Sequence, residues 1–293
     1  MKNHFPEEIK QFHDISNQYE IYFVDLWGVI HNGIKLFDNA VQVLRELKKI
    51  NKKVILISNA PRLKKTVKKF LEKLNFDLDL VEMLITSGDV TQNYILKNKD
   101  KFFYHLGPKK DADLFENVIN ISKNSENCLE IVCTGLIDEI GHNISDYQNL
   151  FETYINENKT FVCANPDEVV SRGNKIEFCA GALAKYYKNL GGKVTYFGKP
   201  HHHIYDFAKI ELERRVGRKI QKKEILAVGD NLKTDILGAQ NFNIDSLLIL
   251  NGIYKDFFRN NDLNFDKLIK SSEAESLIIK KYQQELKWKN DSI

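Results

Sequence analysis

Asp25 closes the apolar run Ile21-Tyr22-Phe23-Val24 and opens Leu26-Trp27-Gly28-Val29. A strand that delivers a carboxylate into a glycine-containing turn exposes a nucleophile at the carboxyl edge of a parallel sheet. Three other apolar runs also end in polar groups. Ile55-Leu56-Ile57 ends in Ser58-Asn59, Tyr196-Phe197 leads into Gly198-Lys199-Pro200, and Val228-Gly229 precedes Asp230, with Asp235 in the turn that follows. An acid, a hydroxyl with an amide, a lysine and an acid pair suit magnesium-assisted phosphoryl transfer. Charge bookkeeping agrees. Three carboxylates, Lys199 and one Mg²⁺ sum to zero, and a phosphate dianion then meets the backbone N–H groups after Asp25 and the helix start after Ser58-Asn59. Without the cation the acids repel such a substrate, so the electrostatics demand it.

Each part also has a plainer reading. Asp25 can be a turn or helix cap. Ser58 can cap the helix that follows Pro61, a role compatible with anion binding. Lys199 can be a surface lysine, and Asp230 and Asp235 can serve a helix dipole. Four separate strand ends would have to acquire a complementary set by chance, so the joint functional reading prevails. His201-His202-His203 follows Lys199 directly. Adjacent residues on a helix splay over different faces, so a helix start near the site is favoured over a metal triplet.

These strand ends need a parallel sheet to hold them. Residues 21–25 and 53–58 read as strands, 38–50 as an amphipathic helix, and Pro61 to about Asn75 as a second helix. Such βαβ units imply right-handed crossovers. From about Thr86 to Val194 the alternation repeats, with strands at 102–106, 128–133 and 160–163 and helices near 110–121, 145–156 and 178–190. Strands at 194–197, 224–229 and 244–250 and helices at 201–215 and 233–240 follow. All four strand-end segments lie outside the middle block. The expected organisation is an N-terminal extension over 1–20, an α/β core from 21–85 and 196–293, and an inserted α/β cap over 86–195. Residues 261–293 read as polar and helical, with fraying at 287–293.

The chain has 293 residues, 43% hydrophobic and 28% charged, enough for one large or two smaller globular domains. Its 43 basic and 40 acidic residues leave a formal charge of +3, which argues for neither a nucleic-acid nor an acidic-membrane partner. The lysine pairs read as solvated faces. Cys128, Cys133, Cys163 and Cys179 lack metal or redox spacing, and most sit in apolar runs, as buried free thiols in a reducing cytosol do. The first twenty residues lack an apolar signal region, and no apolar stretch is long enough to span a bilayer. A cytoplasmic location is the expectation. Oligomeric state is not legible, and a homo-oligomer stays open.

At these residues the chain resembles the haloacid dehalogenase-like hydrolase superfamily, in its class IIA branch with a large α/β cap. The resemblance covers about residues 21–255 and includes Thr86-Ser87-Gly88, Gly135-Leu136, Ala164-Asn165-Pro166-Asp167 and Gly181-Ala182-Leu183. It implies a Rossmann-like three-layer core with an inserted type C2 cap. It further implies a phosphatase of a small phosphorylated metabolite, with Asp25 as the nucleophile that forms an aspartyl-phosphate. Ser58, Asn59 and Lys199 would hold the phosphoryl group. Asp25, the carbonyl of Trp27 and Asp230 would bind Mg²⁺, with Asp235 fixing its waters. Asn165, Asp167 and Gly181 would shape the substrate pocket. One position departs from the pattern. Where phosphomonoesterases of this kind carry an Asp as general acid, two residues after the nucleophile, Trp27 stands. A class IIA subgroup is similar in this respect. The rival reading is a phosphate-ligand binding or sensor protein of weak activity.

Overall fold

The structure, a computed structural model, describes residues 6–172, 175–254, 265, 268 and 277–289. In chain order the strands are β1 Glu7–Glu8, β2 Ile21–Val24, β3 Lys53–Ser58, β4 Met83–Thr86, β5 Phe103–Leu106, β6 Ile121–Ser122, β7 Glu130–Cys133, β8 Thr160–Cys163, β9 Val169–Arg172, β10 Lys175–Phe178, β11 Lys193–Tyr196, β12 Ile225–Gly229, β13 Asp245–Ile249 and β14 Lys281–Gln283. The helices are α1 Asp38–Lys49, α2 Lys64–Lys73, α3 Ser87–Lys97, α4 Gln148–Asn156, α5 Ala180–Asn189, α6 His202–Val216 and α7 Leu237–Phe242. The chain is α/β and forms two compact units. One comprises Met1–Ser58, Phe70–Leu84 and Tyr205–Ile293, the other Asn59–Lys69 and Ile85–Ile204.

The first unit is built on a seven-stranded parallel sheet of order β1-β14-β13-β12-β2-β3-β4. All residues of β2 and β12 are buried, as continuous apolar runs in a sheet covered on both faces require. The α1 helix covers it with Ala40, Val41, Val43, Leu44 and Leu47, the apolar stripe legible in the sequence. The order carries functional meaning. β2 pairs with β3 on one side and with β12 on the other, so the chain reverses its direction of winding at β2. The crevice at the carboxyl end of such a strand is where α/β sheets bind ligands.

One reading of this unit changes. Residues 281–283 are a strand and not a helix, and they join the sheet between β13 and β1. Leu277 and Ile279 are buried while Ile278 and Lys280 are exposed, the two-residue period of an extended chain. The rest of the helical expectation over 261–293 falls largely outside the described residues. Trp288 packs against Phe12 and His13 at centroid distances of 6.3 and 5.5 Å.

The second unit holds a five-stranded parallel sheet, β11-β8-β7-β5-β6, and the antiparallel hairpin β9–β10. Its core gathers Ile131, Tyr147, Phe151, Phe161, Leu183 and Tyr187 with Cys133 and Cys163. All four cysteines are free and buried, and burial raises their thiol pKa values. The helix expected near 110–121 is only a 3₁₀ segment, Lys109–Phe115, because Asn117 turns left-handed at φ +62° and the chain then enters β6. Helix α3 was not anticipated. Its start is a capping box, with Thr86 Oγ1 accepting from Asp89 N and Asp89 Oδ2 from Thr86 N, both at 3.0 Å.

Candidate functional site

The register explains how the acids meet. β2 and β12 run parallel with Val24 opposite Val228, and Asp25 N donates to Val228 O at 2.9 Å. Both strands therefore end at one level, and the residues that follow share one sheet edge. Asp25, Asp230 and Asp235 are all buried, and ligand oxygens from the three lie within 4.8 Å of one another.

Glycines make that approach possible. Gly28 has φ +84°, and a Cβ there would stand 1.9 Å from Asp230 Oδ2. A Cβ on Gly252 would stand 2.0 Å from the same oxygen, and one on Gly229 2.2 Å from Asp235 Cβ. Backbone donors then orient the acids. Ile253 N donates to Asp230 Oδ2 at 2.7 Å, and Asn231 N to Asp235 Oδ2 at 3.2 Å. Asp235 rides on a π-type turn, Leu232–Ile236, a distortion frequent at functional sites. The role of Gly252-Ile253 was missed in the sequence. Its signal was a glycine just past the next strand of the sheet.

Three carboxylates this close repel one another, and burial deepens the penalty. A hard divalent cation with oxygen ligands removes it, and this donor set is of that kind. The residues fit the group.

Trp27 is half-buried beside this cluster in sequence, within a closed turn. Gly28 N donates to His31 O at 2.8 Å, and His31 N to Leu26 O at 3.1 Å. The indole lies over Gly33, where a Cβ would stand 2.4 Å from Cη2, and meets the His31 ring edge-on at 5.2 Å. His31 is buried, and burial lowers its pKa to about 4. Its Nδ1 accepts from Gly33 N at 3.0 Å, so the neutral ring carries its proton on Nε2. Sequence reading gave Gly33 no role.

Ser58 ends β3 and is half-buried. Asn59, Lys199, Asn165, Asp167 and Gly181 belong to the second unit. There Asn59 bonds to the backbone of Lys199 and to Asp167, and Asp167 N donates to Asn165 Oδ1 at 3.1 Å. His201 stacks on Tyr196 at 4.5 Å, and burial lowers its pKa to about 4. His203 packs against Phe197 at 5.0 Å. The described histidines of this triplet do not join a metal-binding group with other acids or thiols.

Residues 22–118 match the family model of haloacid dehalogenase-like hydrolases, and residues 196–270 match a second model described as HAD-hydrolase-like. The crystal structure of a haloacid dehalogenase-like family hydrolase from Brucella suis 1330 superposes with a TM-score of 0.81 at 32% identity, covering 96% of this chain and 100% of that one. A 5'-nucleotidase, YutF, from Bacillus subtilis is 26% identical over 241 residues, 81% of this chain and 89% of its own. An acid sugar phosphatase from Staphylococcus haemolyticus is 25% identical over 238 residues, 80% of this chain and 86% of its own. Among the described residues, no helix is long and apolar enough to cross a membrane.

Proposed function

Because the chain belongs to the haloacid dehalogenase-like hydrolase family and is a hydrolase, we propose that it cleaves phosphate monoesters of a small metabolite, with Asp25 as nucleophile. The observation that carries this reading is the convergence of three buried carboxylates at one sheet edge. Relatives named as a nucleotidase and a sugar phosphatase support it.

In this mechanism an Asp25 oxygen forms a bond to phosphorus as the ester oxygen departs with its electron pair. Water then attacks the phosphorus of the aspartyl-phosphate, releasing phosphate and regenerating the carboxylate. Asp25, Asp230, Asp235 and the Trp27 carbonyl are assigned to Mg²⁺. When bound, the cation neutralises charge on the phosphoryl oxygens and the acids. The chain's own contribution is orientation. Gly28 and Gly252 let the backbone close on Asp230, and Ile253 N–H fixes one of its oxygens. Ser58, Lys199 and, through its backbone N–H, Asn59 are assigned to the transferring phosphoryl group, and Asn165, Asp167 and Gly181 to the cap loops. The cap assignment covers 86–195, and the location we assign is cytoplasmic.

A second reading, a phosphate-binding or sensor protein with slow turnover, is favoured by one observation. Trp27 occupies the position of the general acid, whose loss costs about 10²–10⁴ in rate. Phosphate release over a library of phosphorylated metabolites separates the two. The hydrolase reading expects at least one ester to turn over with Mg²⁺, to stop with a chelator and to recover with added Mg²⁺. Phosphate binding without release from any ester would favour the sensor.

A further inference from the structure

The Asn59 side chain is buried at 3% exposure, and its hydrogen bonds leave little freedom. Nδ2 donates to Asp167 Oδ1 at 2.9 Å and to Lys199 O at 3.0 Å, while Oδ1 accepts from Lys199 N at 2.7 Å. A carboxamide has two N–H donors, and both are committed. Its orientation is also forced, because the Lys199 N–H needs an acceptor and the Lys199 carbonyl a donor. The side chain therefore has no N–H left for a phosphoryl oxygen. What it does instead is grip the Lys199 backbone from both sides.

Asp167 is held as firmly. Its N–H donates to Asn165 Oδ1 at 3.1 Å, and its carbonyl accepts from Gly181 N at 3.1 Å. A Cβ on Gly181 would stand 2.2 Å from Pro166 O and 2.5 Å from Asp167 O. The third loop is just as close. Gly198 has φ +148°, and a Cβ there would stand 2.6 Å from Pro166 Cδ and 2.7 Å from Asn59 Oδ1. Phe197 N donates to Cys163 O at 3.0 Å, tying the same loops one step earlier. Segments around 59, 165–167 and 197–199 thus form one close-packed junction, with the Asn59 carboxamide at its centre.

We propose that Asp167 is a positioning residue: its carboxylate locks the Asn59 carboxamide in the orientation that clamps the Lys199 backbone, and so sets where the Lys199 ammonium stands. An ionised carboxylate suits the task, being acceptor-only and forming a strong bond to N–H. Loss of it frees one Asn59 donor and loosens the grip on Lys199. This rests on the reading above, in which Lys199 meets the phosphoryl group, and it gives Asp167 a part shared by all substrates in place of contact with a leaving group.

The test compares the wild type with Asp167→Ala and Asp167→Asn on phosphate esters of differing leaving groups, such as acetyl, 4-nitrophenyl and alkyl phosphates. Asp167→Ala is expected to lower kcat by roughly 10- to 100-fold, the effect of one lost charge-assisted hydrogen bond, and by the same factor on every ester. Asp167→Asn keeps an acceptor oxygen and should recover most of the rate. Gly198→Ala, which presses on Asn59 Oδ1, should give the same uniform loss. A factor that varies more than tenfold between esters, or no loss in Asp167→Ala, overturns the proposal. A second readout is independent of turnover. The Asn59 side-chain amide protons, followed by NMR, should shift and exchange faster in Asp167→Ala while the remaining spectrum is kept. Unchanged Asn59 signals overturn the positioning role. A wild type that hydrolyses no ester, with Asn59 signals that do respond, retires the phosphatase reading and leaves the junction standing.

Discussion

Trp27 is the residue that most constrains the chemistry. The indole is wedged against Gly33 and the edge of His31, and His31 packs on Phe70 at 5.4 Å. Neither neighbour replaces a carboxylic acid. Burial holds the His31 pKa at about 4, so at pH 7 the ring is neutral and not an imidazolium. If Asp25 attacks phosphorus as proposed, the leaving group it displaces must depart as an anion or take its proton from water or from the substrate. We expect rates that fall steeply as leaving-group pKa rises. Alkyl phosphates should react about 10²–10⁴ more slowly than aryl phosphates, the span a general acid supplies. Trp27→Asp should flatten that slope in a series of substituted phosphate esters. A flat slope in the wild type would show that another group delivers the proton. Asp25, Trp27 and Asp230 were legible in the sequence because they stand at or just past the ends of apolar runs, and Asp235 because it lies in the turn after Asp230. Gly33 was not, since its part is to leave room for a ring that only the folded turn brings over it.

Among the elements, the C-terminal strand was the least legible. Lys281–Gln283 is three residues long and sits among lysines and glutamines, so its composition suggested a solvated helix. Its place comes from pairing, with Leu247 opposite Lys281 and Ile249 opposite Gln283, and with Glu7 on its other side. Leu277, Ile279, Tyr282 and Leu286 are buried in consequence. A chain ending at residue 276 loses those four side chains. At about 1.5–3 kcal/mol for each buried large apolar group, it should be destabilised by several kcal/mol. Denaturant unfolding would measure this, and a midpoint equal to that of the full chain would show that β14 contributes nothing. The central strands were legible for the opposite reason. Buried on both faces, β2, β3 and β12 read as unbroken apolar runs. The β9–β10 hairpin was overlooked although Gly173-Asn174, a turn signal, stands between its strands.

At the scale of the whole molecule, two parallel sheets with separate cores are strung on one chain that passes from one unit to the other and back. The alternation of strands and helices announced both sheets, because each crossover needs a helix between parallel neighbours. Strand order was not legible. Only the folded sheet shows that β12, two hundred residues after β2, lies beside it and carries Asp230 to Asp25 (β12 Val228 stands opposite β2 Val24). That adjacency brings two distant strand ends into one carboxylate cluster, and the central claim is that Asp25 within it attacks phosphorus. The most direct measurement is phosphate release by the wild type and by Asp25→Asn, with titration of beryllium fluoride, a mimic of the aspartyl-phosphate, into both. Asn is isosteric and a poor nucleophile. We expect the wild type to turn over and to bind beryllium fluoride in the presence of Mg²⁺, and the folded variant to do neither. Equal phosphate release by the two proteins would contradict the covalent mechanism.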